Sequence, residues 1–224
     1  MNYTMKKPMA PASTPEPQSP ELRLVGEPAT PTTSADTAPA SAPAPHPNDH
    51  ESPLRLHNLA PAFRDAMAEL AGGVCVITTL DSDQPTGLTV TSGFSVSMTP
   101  ALFAICVDNN SRSLTALLKT ERFVANVLDG QSSHVASNFA SSKVPNKFVS
   151  PSGPIASAAT RGGIPWLCDN SQAGVECEIE KIVPAGDHTL IIGRVTDVLF
   201  PPSQSPAGGL AYLKREFHGL RSTT

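Results

Sequence analysis

Aromatic residues are scarce in this chain: one tryptophan, two tyrosines and eight phenylalanines among 224 residues. Charge is sparse too, at 16% Asp, Glu, Lys and Arg, and the formal net charge is −4. No basic stripe is interleaved with aromatics, which speaks against nucleic-acid binding. No run approaches the roughly 18 apolar residues that a membrane-spanning helix needs. Lys6 and Lys7 are not followed by an apolar stretch, which argues against a secretory signal. The four cysteines, Cys75, Cys106, Cys168 and Cys177, show no CxxC spacing. Cys75 and Cys106 lie inside apolar runs and read as small buried hydrophobes, which fits a reduced, cytoplasmic compartment. The six histidines do not cluster, and neither a nucleophile triad nor a metal-ligand spacing is visible. No GxGxxG follows a strand and no P-loop motif exists, so the usual nucleotide fingerprints are missing. Gly162-Gly163 and Gly208-Gly209 read as plain turns.

Proline is not scarce, but it is unevenly placed. Twelve of the 23 prolines lie at or before Pro53, in a stretch rich in Ala, Ser and Thr. Such a stretch cannot bury enough surface to offset the entropy of ordering it. Residues 1–56 are therefore expected to form a disordered extension, and 57–224 a single domain of ordinary size.

Within that domain, strand patterns dominate. Pro61 fits the first turn of a helix whose apolar face carries Phe63, Met67 and Leu70, and Gly72-Gly73 ends it. Val74 to Leu80 is a β-rich run, and Asp81-Ser82-Asp83-Gln84-Pro85 reads as a hairpin turn. Further strands are predicted at 87–96, 101–108, 122–128, 174–183 and 187–200. Val175, Cys177 and Ile179 alternate with Glu176, Glu178 and Glu180, the pattern of a half-exposed strand. Helices are predicted at 111–119 and 131–140, and 141–170 should be mostly loop. Strands and helices do not alternate one for one, which disfavours a doubly wound parallel sheet and favours a mainly β fold.

The segment GLTVTSGFSVS at 87–97 crowds hydroxyls between two apolar strands. Small hydroxyls and backbone amides suit a planar heterocycle carrying a phosphate; an ordinary Thr/Ser-rich strand is the other reading. Asp108 to Ser113 opens a helix, where Asn110 or Ser111 can cap and free amides can meet an anion. His188, at a strand start, fits either a structural role or a proton-handling one. Trp166 can stack on a ring or cap the core.

Residues 63–128 resemble the flavin reductase family with the FMN-binding split barrel, the reductase partners of two-component flavin monooxygenases. The resemblance continues through GDHTLIIGRV at 186–195 and AYLKREFHGL at 211–220, covering roughly Leu59 to Leu220. It implies a six-stranded antiparallel Greek-key barrel with peripheral helices, working as a homodimer with flavin near the interface. It implies FMN or FAD as flavin, NADH or NADPH as hydride donor, and an oxygenase partner. Thr89, Val90, Thr91, Ser92, Ser95, Val96 and Ser97 fall where the family wraps the flavin, and Ser111 and Phe139 fall at further flavin contacts. Lys147 and Phe148 follow Asn146 where the family commonly has Asp-Arg-Phe, so a lysine stands in for the arginine. The Gly-Asp-His motif places the His188 imidazole at the nicotinamide site as the catalytic histidine. Tyr212, Arg215 and Phe217 resemble the family's closing nicotinamide-side residues, with Glu216 where a glycine is common. Two other readings are compatible: a non-enzymatic flavin- or haem-binding barrel, and a flavin-dependent corrinoid reductase.

Overall fold

The computed structural model describes residues 53–202 and 207–221, with side chains from Leu59 onward. The expected disordered extension lies outside the described residues up to Glu51-Ser52. Helix α1, Pro53–Ala68, starts earlier than the sequence suggests and holds Pro61 inside it. A proline removes one backbone bond from a helix. Here the helix surface is exposed from Leu59 to Met67, so water can meet the freed carbonyl.

Seven strands form one sheet: β1 Cys75–Asp81, β2 Gln84–Val90, β3 Phe94–Met98, β4 Ala101–Asp108, β5 Arg122–Leu128, β6 Ser171–Ala185 and β7 His188–Leu199. Their order is β2-β1-β5-β6-β7-β4-β3, and every pairing is antiparallel. The Ser92 hydroxyl brings the two ends together. It donates to the Cys106 carbonyl at 3.0 Å and accepts the Cys106 N–H at 3.1 Å, tying the end of β2 to β4. Six strands thus enclose a barrel, and β3 is an extra edge strand. The sequence predicts one strand over 87–96; the structure breaks it at 91–93. The reason is this Ser92 bridge, together with Gly93, where an added Cβ would come within 3.0 Å of the Phe103 ring.

Every barrel strand contributes to the interior, among them Ile77, Val90, Ile105, Phe123, Cys177 and Ile191. Helix α2, Arg112–Thr120, adds Leu114 and Leu117 to that core. The alternate residues Val74 and Val76 face outward, under Val135, Ala136 and Phe139 of helix α3, Ser133–Ala140. Both faces of β1 are covered, so Cys75 to Thr79 are buried without alternation, and the Thr78 and Thr79 hydroxyls are met by backbone carbonyls. Burial pushes the Cys75 thiol up to about 11 and the Cys177 thiol up to about 12, Glu176 adding to the latter.

Asn126 knits the outer layer to the barrel. Its Nδ2 donates to the Val76 carbonyl at 2.8 Å and the Thr78 hydroxyl at 2.9 Å, and its Oδ1 accepts the Leu167 N–H at 2.7 Å. The side chain is fully buried. Asn126→Ala strands these groups without solvent and is expected to cost about 2 kcal/mol. A urea melt checks this: an unchanged midpoint would show that the network relaxes at no cost.

Outside this sheet, two-residue pairings join Val149–Ser150 to Gly153–Pro154 and Ala158–Ala159 to Pro165–Trp166, and a small C-terminal sheet holds β8 Leu210–Leu213 and β9 Glu216–Gly219, with Gly72–Gly73 paired to β8. The β8–β9 turn uses Lys214 and Arg215 at φ 51° and 66°, a left-handed turn formed without glycine. Lys214 N–H donates to the Ala68 carbonyl at 2.7 Å, and Arg215 meets Asp65 at 2.5 Å. Those contacts fasten the end of α1. No helix among the described residues is long and apolar enough to cross a membrane.

Candidate functional site

A cavity of about 380 Å³ opens where β2, β4, β7, α2 and α3 meet. Four separate chain segments supply its distinctive groups: Thr89 to Ser92, Ser111, Phe139 and His188. The fold brings these together for local reasons. Gly87 of β2 lies so close to Ile77 and Phe139 that an added Cβ would sit 2.4 Å from the Ile77 carbonyl oxygen and 3.0 Å from the Phe139 ring. The missing side chain lets α3 settle on β2 and hold the ring at the cavity wall. Phe148 meets that ring edge-on, with centroids 5.2 Å apart.

The hydroxyls of this region divide into two kinds. Thr89 donates to the Ala136 carbonyl at 2.7 Å, and Ser92 is committed to Cys106. Thr91 and Ser111 have no hydrogen-bond partner for their hydroxyls among the described residues, although Ser111 occupies the N-cap position of α2. Both hydroxyls are therefore available at the cavity, Ser111 at the positive end of α2. Ser95, Val96 and Ser97 do not line this cavity: they lie on the edge strand β3, with Val96 in a bulge and Ser97 accepting the Thr99 N–H.

His188 is held from behind. Its Nδ1 lies 2.7 Å from Asp187 Oδ1, which leaves Nε2 unengaged on the cavity side. The imidazole in turn keeps the Asp187 carboxyl below its ordinary range, by hydrogen bonding and then by charge. The turn itself requires Gly186, at φ 64°. Asn109 clamps it: its N–H donates to the Asp187 carbonyl at 3.0 Å, and its Oδ1 accepts the Thr189 hydroxyl at 2.7 Å.

Lys147 stands outside the cavity lining. Its ammonium donates to the Phe139 carbonyl at 3.1 Å and to the Ser141 carbonyl, at the end of α3. Arg112 reaches the Ser142 carbonyl at 3.0 Å. Burial, and then the Arg112 charge, lower the Lys147 pKa. Tyr212 and Phe217 pair at 5.0 Å and pack on the outer cluster. They border the site without lining it: Gly72, paired with Tyr212, has room for a Cβ only at 3.2 Å from Thr91. Arg215 is spent on Asp65. Trp166 lies against the sheet, its Nε1 unpaired and close to Gly174, and is not at this cavity.

Five lining residues were not among the predicted site residues: Leu88, Cys106, Val107, Asp108 and Ala140. Cys106 looked like core because it sits in an apolar run. Asp108 had a legible signal, since it opens the Asp108–Ser113 segment read as a helix start, and the structure sets it in register with His188.

The family model described as flavin reductase like domain matches residues 67–221. The chain is 36% identical over 156 residues to a flavin reductase (NADH) of Kitasatospora aureofaciens, covering 69% of this chain and 78% of that relative. It is 30% identical over 173 residues to the 4-hydroxyphenylacetate 3-monooxygenase reductase component of Salmonella dublin, covering 75% and 92%. Among solved structures, the NADH:FAD oxidoreductase SgcE6 of Streptomyces globisporus C-1027, in complex with NAD and FAD fragments, superposes with a TM-score of 0.65 at 25% identity. That superposition covers 74% of this chain and 94% of the other. A split antiparallel barrel, a Gly-Asp-His turn at its mouth and a match over most of its length together show that this chain belongs to the flavin reductase family.

Proposed function

We propose that this protein is an NAD(P)H:flavin oxidoreductase that supplies reduced FMN or FAD to a separate oxygenase. The observation that carries the reading is the single cavity joining unengaged hydroxyls, an aromatic wall and His188 in a chain of this family. The residues fit a flavin: Thr91 and Ser111 can donate to its polar edge, Phe139 can flank the ring, and the α2 N-terminus favours an anionic tail. When bound, flavin accepts a hydride from nicotinamide. The protein's contribution is then placement, which brings donor and acceptor into line and excludes water. Asp187 fixes the His188 ring so that Nε2 presents to the nicotinamide side. The test is oxidation of NADH and of NADPH with FMN, FAD and riboflavin offered separately. Failure of every pair, or bound flavin that NAD(P)H does not bleach, would leave a flavin-binding module instead.

Lys147 is further proposed to meet the flavin phosphate, because its ammonium sits on the Phe139 and Ser141 carbonyls, on either side of the lining residue Ala140. Lys147→Ala is expected to weaken FMN binding roughly tenfold, the size of a lost charged hydrogen bond. Riboflavin, lacking phosphate, should lose far less. Fluorescence titration with both ligands measures the ratio, and equal losses would remove Lys147 from the phosphate site.

The protein is further proposed to act as a homodimer. A lone 16-residue helix is marginal in water. Yet α1 shows Leu59, Phe63 and Met67 to solvent in one stripe, 44–65% exposed. The edge strand β3 exposes Phe94, Val96 and Met98 as well. Sedimentation should give a dimer that Phe63→Glu dissociates; a monomeric wild type would end this proposal.

A further inference from the structure

Asp108 is the only carboxylate among the residues that line the cavity of Thr91, Phe139 and His188. It closes β4 directly opposite His188, the first residue of β7. Opposite residues of an antiparallel pair send their side chains to the same face, with Cβ atoms about 4.5–5.5 Å apart. Asp108 and His188 therefore stand side by side at the cavity. Asn109 fixes their relation by gripping the β6–β7 turn on either side of the imidazole. Its N–H donates to the Asp187 carbonyl at 3.0 Å, and its Oδ1 accepts the Thr189 hydroxyl at 2.7 Å. Asp108 is itself oriented, since its Oδ1 accepts the Asn110 N–H at 2.7 Å. Its Oδ2 makes no hydrogen bond or ion pair among the described residues.

The polarity of this pair follows from Asp187. A carboxylate only accepts hydrogen bonds, so the 2.7 Å contact places a proton on His188 Nδ1. The neutral ring then offers Nε2 as an acceptor. Asp108 accepts as well, so two acceptors face the cavity next to each other. Such a pair is met by a group that carries two donors. The pyrimidine edge of a flavin offers one N–H between two carbonyl oxygens, which is the wrong polarity, and a phosphate is repelled by the Asp108 charge. The primary amide of a nicotinamide carries two N–H donors on one nitrogen, which suits acceptors on adjacent strands.

We infer that Asp108 is a specificity-determining residue: together with His188 it receives the carboxamide NH2 of the hydride donor, and so selects an amide over a ketone or an acid at that position. The inference rests on the assignment of His188 to the nicotinamide side. Its test is calorimetric titration of the flavin-loaded full chain with oxidised dinucleotides, which give no hydride. The probes are the oxidised form of whichever of NADH and NADPH reduces the flavin, its 3-acetylpyridine analogue and its nicotinic acid analogue. The acetylpyridine form keeps the carbonyl but lacks the donors, and should bind roughly tenfold more weakly than the amide, the size of a hydrogen bond lost at a charged acceptor. The nicotinic acid form sets a carboxylate against Asp108 and should bind more weakly still. Asp108→Asn keeps an acceptor for the Asn110 N–H and turns an NH2 to the ligand. It should weaken the amide, strengthen the acid and narrow their ratio at least roughly tenfold. Asp108 is exposed, and flavin titration of the variant reports whether the barrel is intact. An amide that does not outbind both analogues, or a wild-type ratio in Asp108→Asn, overturns the inference. Bound flavin that neither NADH nor NADPH reduces is a separate result: it removes the oxidoreductase assignment, and this inference with it.

Discussion

His188→Ala is expected to slow reduction of pre-bound flavin by NAD(P)H roughly tenfold, the kinetic equivalent of one hydrogen bond at the upper end of the usual range. Flavin affinity should change by less than about twofold, because the hydroxyls and the aromatic wall lie on other segments. The geometry supports a split of this kind. The imidazole is anchored through Nδ1 on Asp187, and nothing in the described protein engages Nε2. A merely structural histidine predicts a different pattern, with a lower melting temperature and parallel losses for both ligands. Stopped-flow reduction separates the two, since it isolates nicotinamide binding and hydride transfer from flavin release. Wild-type reduction rates at every NAD(P)H concentration would remove His188 from the nicotinamide site. Asp187→Asn keeps a hydrogen-bond partner but loses the charge, and should fall between wild type and alanine.

Gly87→Val is expected to destabilise the domain by roughly 3 kcal/mol, at the upper end for overpacking a filled site. Two obstacles meet the new side chain, and one of them is backbone: the Ile77 carbonyl oxygen at 2.4 Å from the Cβ. The other is the Phe139 ring at 3.0 Å. Strand β2 must then part from β1, or α3 must lift and carry Phe139 off the cavity wall. The Ser113 hydroxyl, which donates to the Gly87 carbonyl at 3.0 Å, would be disturbed as well. Flavin affinity should fall along with the denaturation midpoint. A variant with wild-type stability and wild-type flavin binding would show that Phe139 does not define this wall.

Much of the fold was legible in the chain because period and punctuation report local constraints. The β5 strand was read at its observed bounds, and the Asp81–Gln84 turn was placed by its small polar residues. Ser82 and Asp83 indeed take positive φ there, as a tight hairpin demands. The Glu176, Glu178 and Glu180 alternation correctly marked an outer face, but not that Glu176 is buried on it. Nothing local signals that the turn at Arg161-Gly162 folds over that carboxylate.

Sequence by itself determined the strand-rich domain, the hydroxyl-rich segment and the Gly-Asp-His turn, because each is written in neighbouring residues. It also carried the family resemblance. Only the tertiary structure decided which hydroxyls are free. Thr89, Thr91, Ser92 and Ser111 look alike as letters. Thr89 spends its proton on a helix carbonyl 47 positions away, and Ser92 spans the gap between β2 and β4. Thr91 and Ser111 are left to face the cavity. Lys147 was read as a cation for phosphate, and its place at the α3 carbonyls depends on how the loop returns past the helix. Hydrogen-bond partners distant in sequence are chosen by packing, and packing is a property of the closed barrel.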